Sequence, residues 1–170
     1  MTIKDDFEKI AVGAKPMGAS VHVENKGDSI VVTDEIASSG RRSLKIADAA
    51  GLRNAFIPYL VYSPNHSSGT TRCSFDLWVG PGVSINHEWR DTQHSPYAIG
   101  PSLSINETRL QIAGETLLTL PIGSWVQIET TADLGQVNVW DLAVTLPGEA
   151  PKIFKGLKTG SPTFERLSWL

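Results

Sequence analysis

The sequence predicts an all-β chain folded as a two-sheet antiparallel β-sandwich, or jelly roll. Short runs rich in Val, Ile, Thr and aromatic residues recur along the 170 residues, each bounded by Gly, Pro, Asn or Ser. Helical signals are nearly absent: the best window, Asp48-Ala49-Ala50-Gly51-Leu52-Arg53-Asn54, is short and broken by Gly51. Apolar and polar residues alternate within several runs, the pattern of a strand with one buried face.

Taken in order, the runs place strands near 19–24, 28–34, 42–47, 55–62, 71–79, 84–90, 102–105, 109–112, 116–120, 125–131, 137–146 and 164–169. Turn clusters separate them, among them Lys26-Gly27-Asp28, Ser38-Ser39-Gly40, Gly80-Pro81-Gly82, Ala113-Gly114-Glu115 and Pro147-Gly148. Leu44 and Ile46 are expected to point inward in the third run. In 71–79 the inward set is Cys73, Phe75, Leu77 and Val79, so Ser74, Asp76 and Trp78 project from the opposite face. In 84–90, Ile85 shares its face with His87 and Trp89, and Asn86, Glu88 and Arg90 share the other. Leu110 and Ile112 point inward, with Arg109 and Gln111 outward. The run 137–146 changes phase, from Val137 and Val139 to Trp140, Leu142 and Val144, which a β-bulge near Val139-Trp140 explains.

A chain of this length fits one domain, 1–170, with no linker or internal repeat to divide it. It is 41% hydrophobic and 19% charged, the balance of a globular protein and not of a disordered one. Fifteen Lys and Arg against 18 Asp and Glu leave −3, and no basic run exceeds Arg41-Arg42, so a nucleic-acid partner is not expected. No apolar run approaches the ~20 residues of a membrane span. Met1-Thr2-Ile3-Lys4-Asp5-Asp6-Phe7 lacks the apolar core of a signal peptide. Cys73 is the single cysteine, which excludes an intramolecular disulfide and a Cys-based zinc cluster. In phase with Phe75 and Leu77, it reads as an inert core thiol.

Ala37-Ser38-Ser39-Gly40-Arg41-Arg42-Ser43-Leu44-Lys45-Ile46 resembles a strand entry of carbohydrate-associated jelly rolls. Leu120-Pro121-Ile122-Gly123-Ser124-Trp125-Val126 resembles the L-P-x-G-x-W signature of concanavalin A-like lectin/glucanase and laminin-G-like sandwiches. With Asp5-Asp6-Phe7-Glu8, His87-Glu88-Trp89-Arg90-Asp91 and the closing Phe164-Glu165-Arg166-Leu167-Ser168-Trp169-Leu170, the resemblance spans nearly the whole chain. It implies a lectin-like, carbohydrate-binding-module-like domain of a secreted or cell-surface bacterial protein, with a polysaccharide or glycan and neighbouring domains as partners. It also implies a structural Ca²⁺ using Asp6 and Glu8. Relatives carry a further strand with an Asp, whereas this sequence ends at Leu170, so the chain is expected to be a piece of a larger protein or to lack that edge strand.

A retaining glucanase needs two carboxylates ~5–5.5 Å apart, which alternate positions on one strand supply. No Glu-x-Asp-x-Glu run occurs here, and Asp34-Glu35 face opposite sides of any strand. The expected function is therefore non-catalytic carbohydrate binding. A catalytic jelly roll (glycoside hydrolase or polysaccharide lyase) and a purely structural or interaction sandwich are the alternatives. The expected ligand residues are Trp78, Asp76, Glu88, Arg90, His87 and Tyr97. An aromatic ring stacks on the apolar face of a pyranose, while carboxylate and guanidinium hydrogen-bond its hydroxyls. The bland alternative makes Glu88–Arg90 an internal ion pair, with Trp89 in the core beside Ile85. Trp125, Trp140 and Trp169 are expected to pack as structural or core residues. Should runs 71–79 and 84–90 be neighbours in one sheet, Asp76, Trp78, Glu88 and Arg90 would form one patch.

Overall fold

The computed structural model describes residues 2–135 and 138–170. Among them are twelve strands and no helix: β1 (Ser20–His22), β2 (Ser29–Thr33), β3 (Ser43–Ala47), β4 (Tyr59–Val61), β5 (Gly69–Val79), β6 (Ser84–Asp91), β7 (Ala98–Asn106), β8 (Arg109–Ile112), β9 (Glu115–Thr119), β10 (Ser124–Leu134), β11 (Val139–Thr145) and β12 (Lys152–Lys158). All pairings are antiparallel. The all-β expectation holds. By contacts the chain divides into two units, the first running to Ser63 and the second comprising Pro64–Leu170.

In the first unit β1 pairs with β4 and β2 with β3. Val32 also exchanges backbone hydrogen bonds with Gly13 and Ala14, so the early chain lies along β2. Ile10, Ile30 and Val32 are buried. Ile46, expected inward, is 44% exposed. The window 48–54 forms turns, not a helix.

The second unit is a two-sheet sandwich, with strand orders β12-β11-β10-β5 and β6-β7-β8-β9. Inward side chains from both sheets meet in one core: Val79, Val126, Ile128, Trp140, Leu142 and Val144 from the first, Trp89, Leu103, Ile105 and Leu110 from the second. Val126 and Ile128 are buried where Gln127 and Glu129 are not, the period of two that a half-buried strand requires.

Two segments differ from the sequence reading. Lys152–Lys158 is a strand, paired with β11 and not anticipated. Its inward residues Phe154 and Leu157 stand three apart because the register slips opposite Trp140–Leu142. The extra residue at this slip is on β12; β11 itself alternates without a break and Val139 is 38% exposed, so the bulge expected near Val139-Trp140 is not in that strand, and Val137 lies outside the described residues. Conversely, 164–169 is not a continuous strand. It makes single bridges, Leu167 to His66 and Trp169 to Arg90, while Glu165 accepts from the Gly135 amide.

Candidate functional site

β5 and β6 follow one another through Gly80–Val83 yet belong to different sheets, as edge strands of each. The condition for one four-residue patch is therefore not met. Asp76 and Trp78 project from the outer face of one sheet, Glu88 and Arg90 from the outer face of the other. Phe75 and His87 point the opposite way from these, their rings 4.9 Å apart across the core.

On the β5–β10 face Trp78 is the ladder partner of Trp125. Their rings meet edge to face, 5.7 Å apart at 61°, and each is half-buried. Asp76, opposite Gln127, is exposed. Trp125 thus has the structural role expected of it, and its contact is Trp78 itself.

On the β6 face Glu88 and Arg90 project together. Arg90 Nε and Nη2 both donate to Glu88 Oε2, at 2.9 and 2.8 Å. The guanidinium carbon lies 4.5 Å from the centre of the Tyr97 ring, and Tyr97 is 42% exposed. With 35% of the Arg90 side chain and 24% of Glu88 still exposed, solvent screens the pair, which contributes about 0–1 kcal/mol. The cation–π contact adds about as much. Together these organise the site without making it a pillar of the fold.

The backbone explains how Tyr97 reaches Arg90. Glu88 is opposite Ser102 and Arg90 opposite Ile99, so β7 carries one extra residue at this point. Pro101, which has no N–H to give a ladder, sits in that bulge. Beside it, a Cβ on Gly100 would come within 2.5–2.7 Å of the Phe164 ring, so the position must be glycine for Phe164 to be buried there. The loop between β6 and β7 is tied by the buried Asp91. Its carboxylate accepts from the Gln93 amide (3.0 Å) and lies 3.6 Å from His94 Nε2. The Thr92 amide donates to Ser168 Oγ at 3.2 Å. Tyr97 thus returns to Arg90 on a fastened loop.

Sequence reasoning missed Trp169. The Arg90 amide donates to the Trp169 carbonyl at 2.8 Å, and the Trp169 amide donates to the Arg90 carbonyl at 3.0 Å. Residues so paired project to one side of an antiparallel ladder, and Trp169, expected in the core, is 41% exposed. Leu167 and Ser168 are buried instead. A one-strand alternation could not anticipate this, because the exposure follows from a partner 79 positions away. The surface therefore holds an acceptor, a donor and two aromatic side chains: Glu88, Arg90, Tyr97 and Trp169.

His87 does not belong to it. The ring is largely buried, with Cys73 Sγ 3.9 Å from Nε2, and Nδ1 has no hydrogen-bond partner among the described residues. Burial pushes its pKa down to about 4 and that of the Cys73 thiol up to about 11, so both stay neutral at pH 7. Cys73 is the inert core thiol that its phase implied.

Asp6 and Glu8 lie in the first unit. Asp6 Oδ1 accepts from the Glu8 amide at 3.1 Å. Glu8 Oε1 accepts from the amides of Arg41 and Arg42, at 2.9 and 2.8 Å. The Arg42 guanidinium donates to the carbonyls of Glu8 and Ile10. A Cβ on Gly40 would fall 2.5 Å from Glu8 Oε1, so this turn is shaped around the carboxylate. Calcium needs six to eight oxygens. Here an arginine already serves two of the nearby carbonyls, and the described residues gather no group of three or more His, Cys, Asp or Glu able to hold a metal. These donors do not fit a calcium ion.

Among the described residues no helix is long and apolar enough to cross a membrane. No protein-family model matches the sequence, and no curated protein matches it.

Proposed function

We propose that this chain is a non-catalytic carbohydrate-binding domain of the concanavalin A-like jelly-roll type, serving a secreted or cell-surface bacterial protein that acts at polysaccharides. The observation that carries the reading is the Glu88–Arg90 pair held over Tyr97 with Trp169 alongside. Sugars present apolar C–H faces and rows of hydroxyls, and this surface offers aromatic rings and a paired donor and acceptor. Leaving two large aromatics about 40% exposed forgoes burial that a core position would give, which is the expected signature of a recognition surface. The neighbouring carboxylate, Asp91, is buried and committed to its loop, and is therefore not presented beside Glu88 as the second acid that glycosidic-bond cleavage needs.

A glycan array with the purified domain tests this, followed by titration of the best ligand into wild type and Arg90→Ala. Tenfold or greater weakening in Arg90→Ala is expected, with a melting temperature lowered by no more than about a few degrees. An array without any bound glycan, or a variant that binds as tightly as the parent, contradicts the reading.

A further inference from the structure

Resting on that reading, we infer that the Glu88–Arg90 site selects uncharged glycans bearing adjacent hydroxyls and turns away uronate and sulfated ones. Exposed arginines at sugar sites ordinarily suggest acidic ligands, because a free guanidinium forks onto a carboxylate or sulfate. Arg90 is not free in that sense. Nε and Nη2 both meet one Glu88 oxygen, and the guanidinium lies over Tyr97. Turning toward another anion would break the ion pair and give up the ring contact together. An anion that left the pair intact would sit beside Glu88 with like charge.

A donor and an acceptor fixed side by side match a vicinal diol. One hydroxyl gives its proton to the Glu88 carboxylate, and the neighbouring oxygen accepts an N–H from Arg90. The sheet continues this chemistry away from the pair. Ser102 stands opposite Glu88 on β7. Two residues along each strand, Asn86, Ser104, Gln111 and Thr116 are register partners across all four strands of the sheet. Gln111 Nε2 lies 3.4 Å from Thr116 Oγ1 within that row. Amides and hydroxyls can each donate and accept, and none carries a charge. A glycan chain lying across the strands from Trp169 and Tyr97 would meet an uncharged face. Arg109, exposed at the start of β8, lies outside that row and serves as the control cation.

The experiment is calorimetric titration of cellohexaose, mannohexaose, xylohexaose and hexagalacturonate into wild type, Glu88→Gln and Arg109→Gln, with thermal melts confirming that each variant is folded. The expected result is a neutral hexaose bound about tenfold or more tightly than hexagalacturonate, the size of effect that one unfavourable charge contact produces. Glu88→Gln should narrow that ratio by strengthening hexagalacturonate binding, and Arg109→Gln should leave it unchanged. Hexagalacturonate bound as tightly as the neutral hexaoses, or a ratio indifferent to Glu88→Gln, overturns the selectivity while the carbohydrate reading stands. A ratio that responds to Arg109→Gln instead moves the selectivity to Arg109 and overturns it here. No binding of any hexaose removes the carbohydrate reading, and this inference with it.

Discussion

The guanidinium of Arg90 lies 4.5 Å from the centre of the Tyr97 ring while two of its N–H groups meet a single oxygen of Glu88. Three elements converge to make that arrangement: β6 supplies the pair, the loop fastened by Asp91 supplies Tyr97, and the closing segment supplies Trp169. Each side chain is therefore positioned by backbone hydrogen bonds outside itself. Such a surface loses little conformational freedom when a ligand arrives, which favours affinity.

His87 gives the second unit a pH-dependent stability with a defined window. Its folded pKa, about 4, lies below the unfolded value near 6.5. The unfolded chain thus binds more protons between these values, and stability falls as pH falls. The contribution is complete above pH 6.5 and lost by about pH 4, amounting to about 3 kcal/mol. Urea unfolding at pH 7 and pH 5 should show this loss beginning in wild type. His87→Leu should flatten that part of the profile. An identical pH profile in the variant would contradict the assignment.

The turn at Glu8 should be indifferent to calcium. The carboxylate holds two backbone amides, and Arg42 supplies the positive charge to the adjoining carbonyls. Arg42→Ala leaves those acceptors without their charged donor and should cost about 1–3 kcal/mol. Millimolar Ca²⁺ added after chelation should leave the wild-type melting temperature where it was. A rise of several degrees would mean that the ion binds the folded chain, by mass action.

Trp78 is predicted to stabilise its sheet and not to bind the ligand of the β6 face. Removing a half-buried indole that packs edge-on against Trp125 should cost about 1–3 kcal/mol in Trp78→Ala. Glycan affinity should not change, since Arg90 projects from the other sheet. A tenfold loss of affinity with little loss of stability would place the site on the β5–β10 face.

Much of this architecture is legible in the sequence because strand parity is local. Alternation alone separates Phe75 and Leu77 from Asp76 and Trp78, and His87 and Trp89 from Glu88 and Arg90, and the structure keeps each set on its face. Parity cannot say which strands share a sheet. The tight Gly80-Pro81-Gly82 turn looks like a hairpin, yet it carries the chain from one sheet to the other. It also fails at irregularities: the slipped register that spaces Phe154 and Leu157 hides β12, and the lysines of that strand look like a loop. Trp169 is legible only through its pairing with Arg90, a long-range contact with no local signature.

Where a sugar lands is the central question, and backbone amide chemical-shift mapping answers it most directly. A glycan hit titrated into isotopically labelled protein should move the amides of Asn86–Arg90, Tyr97, Ser102, Ser104 and Trp169. The amides of Arg72–Trp78 and Trp125–Glu129 should stay in place. Shifts confined to β5 and β10, with Arg90 and Tyr97 unmoved, would contradict the account.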